Sequence, residues 1–150
     1  MELKGINNQT VELKITRYQF PNIKQEPQDS SWLNIFINVK SDQGNWQTVD
    51  PSLMVSEFKE LIQWFRDLSN NKDEENKDLY FMEPNLGFEL VKIKNGIKYI
   101  KIIFSAESKP KSAKEGNEYF VDFEYSNEEL NQIADKLDGE LNQIYDKNIK

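Results

Sequence analysis

The chain contains neither cysteine nor histidine. The first absence removes disulfides, thiolate nucleophiles and every cysteine-containing zinc site. The second removes the usual general base at neutral pH and the commonest transition-metal ligand. Arginine is scarce as well, with Arg17 and Arg66 alone among 19 basic residues. Phosphate backbones reward clustered cations, so nucleic acid is not an expected partner. The apolar runs are only a few residues long, far short of a bilayer span. The amino terminus, MELKGINNQT, lacks the basic start and apolar stretch of a secretory signal. The expected location is the cytoplasm, without membrane contact.

Motifs that carry chemistry are missing too. Gly5, Gly44, Gly87, Gly96, Gly116 and Gly139 stand apart, so no phosphate-cradling loop can be read. No serine sits in a nucleophile elbow, and without histidine a serine would need a lysine as its base. The acids of the polar stretch at 69–78 do not match the spacing of a calcium loop. No metal and no cofactor is therefore expected. Carboxylate pairs of the glycosidase kind are available among 26 acidic residues. Asp122 and Glu124 share a strand face, but nothing else marks them as such a pair. A carboxylate-based carbohydrate-active enzyme stays open as an alternative.

What the sequence does have is size, aromatics and negative charge. At 150 residues, with nine Phe, six Tyr and three Trp, it can bury one sizeable core, and a single domain over 1–150 is expected. The net charge of −7 is spread along the chain. Such a surface favours solubility and also speeds encounter with a basic protein.

Period-two alternation dominates. Val11, Leu13 and Ile15 mark one strand, and Leu33, Ile35, Ile37 and Val39 a second that turns at SDQGN into Trp46–Val49. Residues 21–31, with two prolines, read as a loop. Asp50-Pro51 has the form of a helix cap followed by a first-turn proline. The helix it would open carries the stripe Met54, Phe58, Leu61, Phe65 and Leu68, with Trp64 at its edge and Glu57 on the wet side. Residues 79–92 read as a hairpin turning at Pro84-Asn85, with Glu83 as the last residue of its first strand. Lys94-Asn95-Gly96 turns into the strand at 97–104, and a lysine-rich segment, 105–118, follows as a mobile loop. Tyr119, Val121, Phe123 and Tyr125 alternate in a last strand, and Ser126 with Glu129 forms a capping box that opens a helix striped by Leu130, Ile133, Ala134, Leu137, Leu141 and Ile144.

This order predicts an α+β fold: a curved antiparallel sheet of six or seven strands with both helices on its concave face. The opposite face would carry Trp32, Asn34, Phe36 and Asn38, then Tyr80 and Met82, then Phe120, Asp122 and Glu124. Aromatics mixed with acids and amides suit a protein-binding patch, with Trp32, Phe36, Phe120, Asp122 and Glu124 as candidate contacts. Burial of those aromatics by sheet curvature or by the 21–31 loop is the competing reading.

Several segments together resemble a known family. DSSWLNIFINV is followed by GNWQTVDPSLMVSEFKELIQWFRDL, LYFMEPNLGFEL, IKIIFSAESKP and YFVDFEY, the last leading into the final helix. This order, over about residues 9 to 145, is similar to the WapI-type immunity proteins of Gram-positive bacteria, and F-x-E-P-N-L-x-F-E-L at 81–90 is its most distinctive element. The resemblance implies a small cytosolic, non-enzymatic antidote that binds the carboxy-terminal toxin domain of a secreted or wall-associated protein, in the founding case a nuclease acting on tRNA. The implied partner is a cognate toxin domain, and a basic one would suit this chain's charge. A protein-interaction domain unrelated to toxins is the third possibility.

Overall fold

The computed structural model describes residues 1–18, 28–72 and 78–149, with side chains described at 1–16, 28–72 and 78–144. The chain runs β1 (Glu2–Lys4), a 3₁₀ turn (Ile6–Asn8), β2 (Thr10–Tyr18), β3 (Trp32–Ser41), β4 (Gly44–Met54) and α1 (Val55–Ser69). It continues through β5 (Asp78–Tyr80), β6 (Leu86–Lys94), β7 (Ile97–Phe104), a second 3₁₀ turn (Ala106–Ser108), β8 (Tyr119–Tyr125) and α2 (Asn127–Ile149). Parts of the loops expected at 21–31 and 69–78 lie outside the described residues.

The α+β class holds, but the single sheet does not. Two four-stranded antiparallel meanders form, in the orders β1-β2-β3-β4 and β5-β6-β7-β8. Alternation records which side of a strand is buried and is silent about which strand lies beside it. The chain leaves the first sheet through α1, and no ladder joins β4 to β5. The helices pack on each other, α1 also touching β4 and α2 touching β2 and β8. One apolar cluster runs through all of these elements, including Leu13, Ile35 and Ile37 of the first sheet, Phe88, Ile102 and Phe123 of the second, Phe65 of α1 and Leu137 of α2.

The first helix starts later than its cap signal suggests. Asp50 and Pro51 belong to β4, opposite Ile35 and Asn34, and the ladder continues to Met54 opposite Trp32. Proline is tolerated there because β4 is an edge strand and a register shift lies alongside, between Leu33 and Asn34. Glu57, expected in water, is only 6 % exposed. Its Oε1 accepts the Met54 N–H at 3.0 Å and its Oε2 the Met82 N–H at 2.9 Å. One carboxylate thus caps α1 and fastens the β5–β6 connection to it. Trp64, expected at the stripe's edge, is buried beside Phe65, with ring centroids 5.1 Å apart.

The final helix follows its sequence signal closely. Ser126 N–H donates to Glu129 Oε1 at 3.0 Å, and Glu129 N–H donates to Ser126 Oγ at 3.2 Å. Lys98 joins the two helices in an unforeseen way. Its side chain is 1 % exposed, and its Nζ donates to Asn71 Oδ1, just past α1, and to Asn127 Oδ1 at 2.6 Å, at the start of α2.

Candidate functional site

In β8 the odd residues Tyr119, Val121, Phe123 and Tyr125 are buried, which turns Phe120, Asp122 and Glu124 outward. The register sets these against Ile103, Lys101 and Tyr99 of β7. Lys101 sits 4.3 Å from the Phe120 ring centroid and 3.7 Å from Glu118 Oε1. Lys92 lies 4.7 Å from the Tyr99 ring centroid. The outward face of the second sheet is therefore a mosaic of aromatic rings, acids and lysines, less uniformly acidic than the strand sequence alone conveys.

Trp32 and Phe36 do not join this face. They lie on β3 of the first sheet, Trp32 opposite Met54, and Phe36 between Lys14 and Val49. The five candidate contacts therefore divide between two sheets, three on β8 and two on β3. Tyr80 and Met82 are exposed as expected, Met82 in the connection after β5. Glu83 is exposed in the same connection; β5 ends earlier, at Tyr80, so Glu83 does not terminate a strand.

Where the two sheets meet, Phe120 and Asp122 line a groove of about 270 Å³ together with Asn7 of the first 3₁₀ turn and Asp42 of the β3–β4 turn. Two glutamines hold its walls. Gln43 Nε2 donates to Glu118 O at 2.7 Å while its Oε1 accepts the Phe120 N–H at 2.8 Å, so one carboxamide occupies part of the β8 edge as a neighbouring strand would. Gln9 Oε1 accepts the Asp42 N–H at 3.1 Å, and Gln9 Nε2 donates to Ile6 O at 2.9 Å. Asn7 (φ 59°) and Asn8 (φ 61°) hold left-handed backbone in this rim.

Among the described residues, Tyr80 and Tyr125 are held above the ordinary tyrosine range. Tyr80 donates to Glu89 Oε2, and this bond, then partial burial, then the Glu89 charge hold its phenol up to about 12. Burial pushes the Tyr125 phenol higher still, with Glu129 adding to the effect, and its hydroxyl donates to Lys4 O at 3.0 Å. Among the described residues no group of three or more Asp or Glu side chains is placed to hold a metal ion, and no helix is long and apolar enough to cross a membrane.

A profile of the immunity protein WapI-like family matches residues 2–144. The chain belongs to that family. Among curated proteins, none matches it.

For this member of the WapI-like family, the distinctive element at 81–90 has a structural reading that the sequence did not disclose. Asn85 is fully buried at 0 % exposure. Its Nδ2 donates to Asp50 Oδ2 at 2.9 Å and to Ser52 Oγ at 3.0 Å, both on β4 of the other sheet. Its Oδ1 accepts the Glu107 N–H at 3.2 Å, and its main-chain oxygen accepts the Ser105 N–H at 2.9 Å and the Ser108 hydroxyl. The segment after β7, expected to be mobile, is held at this point, and Ser108 O also receives the Trp46 indole N–H at 2.8 Å. Gly87 lies opposite Tyr80, where an added Cβ would meet the ring at 2.5 Å. The turn dipeptide and the glycine were visible in sequence. The partners of Asn85, twenty or more residues away in each direction, were not.

Proposed function

We propose that the chain is an antidote: it binds a cognate toxin domain one-to-one and neutralises it by covering its active surface, acting in the cytoplasm and without catalysis of its own. The observation that carries this reading is the family match over residues 2–144. The net charge of −7 supports a basic target, and a nuclease is the target class implied by the resemblance. The outward face of β8 is the proposed contact, with Phe120 as an anchor and Asp122 and Glu124 setting the association rate. Trp32 and Phe36, on the other sheet, would serve only a partner that reaches around the molecule.

The first test is co-expression with the toxin domain encoded beside this gene. A stable complex and rescue of growth are expected, and a toxin that stays free and lethal defeats the reading. The second replaces both acids, Asp122→Lys with Glu124→Lys. Association at low salt should slow by about tenfold and lose much of its dependence on ionic strength. Unchanged rates would remove this face from the contact.

A further inference from the structure

Each sheet has one short outer strand and one long one. The outer strands β1 and β5 have three residues each, whereas β4 has 11 and β8 has seven. An outer strand invites another chain to pair with it, and a short one invites it least. The two long strands are covered reciprocally, each by turns from the other half of the molecule. The 3₁₀ turn at Ala106–Ser108 lies against β4, where Ser108 O receives the Trp46 indole N–H. On β8 the covering groups come from the β3–β4 turn and from the first 3₁₀ turn.

One bond fixes which way the β8 main chain faces. Phe120 N–H donates to Gln43 Oε1 at 2.8 Å and so points away from β7. In an antiparallel ladder the N–H and C=O of one residue point the same way, and the direction alternates along the strand. Phe120 and Asp122 therefore both turn their main-chain groups to the outer edge. Gln43 spans the first rung there, because its Nε2 also donates to Glu118 O at 2.7 Å. A carboxamide carries the donor and the acceptor of a peptide group, and this one uses both as a paired strand would. At the next rung Gly5 comes so close that an added Cβ would stand 2.8 Å from Asp122 O. Between these two blocks lies the groove of about 270 Å³, whose acids Asp42 and Asp122 favour a basic chain among those that could enter. We propose that Gln43 is a strand surrogate that closes the β8 edge. It occupies the rung at which an extended chain would begin to pair, and with Gly5 it restricts partners of β8 to the outward side-chain face. This closure belongs to the free chain and does not depend on the antidote reading.

The probe is an acetylated, amidated pentapeptide of alternating valine and lysine, titrated into the ¹⁵N-labelled parent and the Gln43→Ala variant. Gln43 is exposed on a turn, so the variant should fold, which circular dichroism checks. In the parent, the Phe120 and Asp122 amide signals should stay in place throughout the titration. In the variant both should shift and saturate. Without peptide, the Phe120 amide of the variant should exchange with solvent about tenfold faster than that of the parent, as expected for the loss of its acceptor. Gln43→Asn carries the same carboxamide on a stem one methylene shorter and cannot span the rung. It should behave as the alanine variant does, and it replaces that variant if alanine prevents folding. Equal shifts in parent and variant would mean that the edge is open with Gln43 in place. No shifts in either, or an unchanged Phe120 exchange rate, would mean that Gln43 is not what closes it. Each of these results overturns the proposal.

Discussion

A carboxamide donates and accepts through one planar group, and Asn85 uses both ends at once, between Asp50 and Ser52 on one side and the Glu107 N–H on the other. No other side chain of its size does this in a site with no water access. Alanine would leave the buried Ser52 hydroxyl, the half-buried Asp50 carboxylate and the Glu107 N–H without this partner, and we expect Asn85→Ala to lower stability by about 2–4 kcal/mol. Aspartate is nearly isosteric but would set a second carboxylate against Asp50, so Asn85→Asp should cost at least as much near neutral pH. Urea denaturation at pH 7 checks both. A loss below about 0.5 kcal/mol for the alanine variant would show that the bonds are not worth their burial. The sequence marked Asn85 only as a turn residue, because the turn is local while the partners that make it irreplaceable belong to β4 and to the segment after β7.

At the scale of single elements, the patterns with a local cause were legible. The alternation of β2, β3, β7 and β8 and the stripe and capping box of α2 all appear where the residues place them. The start of α1 was not legible, because Asp50-Pro51 satisfies a helix cap locally while pairing with β3 satisfies the same backbone through a partner strand. Glu57 escaped for a related reason: an acid on a helix reads as solvent-facing until its two N–H donors, one of them in the β5–β6 connection, are in view. The short β5–β6 pair offers a test of cross-strand coupling. Tyr80 donates to Glu89, which keeps the phenol neutral up to about 12 against an ordinary value of 10.0. Because the folded value is raised, the contribution to stability is complete below pH 10 and is lost as pH rises through about 12. Glu89→Gln removes the charge and weakens the acceptor, so the Tyr80 phenolate should appear closer to pH 10 and the stability loss across that window should shrink. Phenolate absorbance against pH measures it, and an unmoved titration would mean that Glu89 is not the cause.

For the whole molecule, the decisive question is how two sheets with no shared ladder behave as one body. The connection is made by side chains. Trp46 of β4 lies edge-on to Phe104 of β7 and Tyr119 of β8, with centroids 5.7 and 5.9 Å away, and its indole N–H reaches Ser108 O. Asn85 makes a second tie to β4, and the two helices lie across both sheets. If these contacts couple the halves, tryptophan fluorescence and far-ultraviolet circular dichroism should report one coincident unfolding transition. Trp46→Phe keeps most of the aromatic packing but leaves Ser108 O without this donor, and should lower stability by about 1 kcal/mol. Trp46→Ala opens a cavity between the sheets and should cost about 3–5 kcal/mol while the transition stays single, since Asn85 and the helices still join the halves. Two separated transitions in the parent chain would mean that the sheets fold independently. A shared core would then be a matter of proximity, and any partner gripping both sheets would be holding two bodies together.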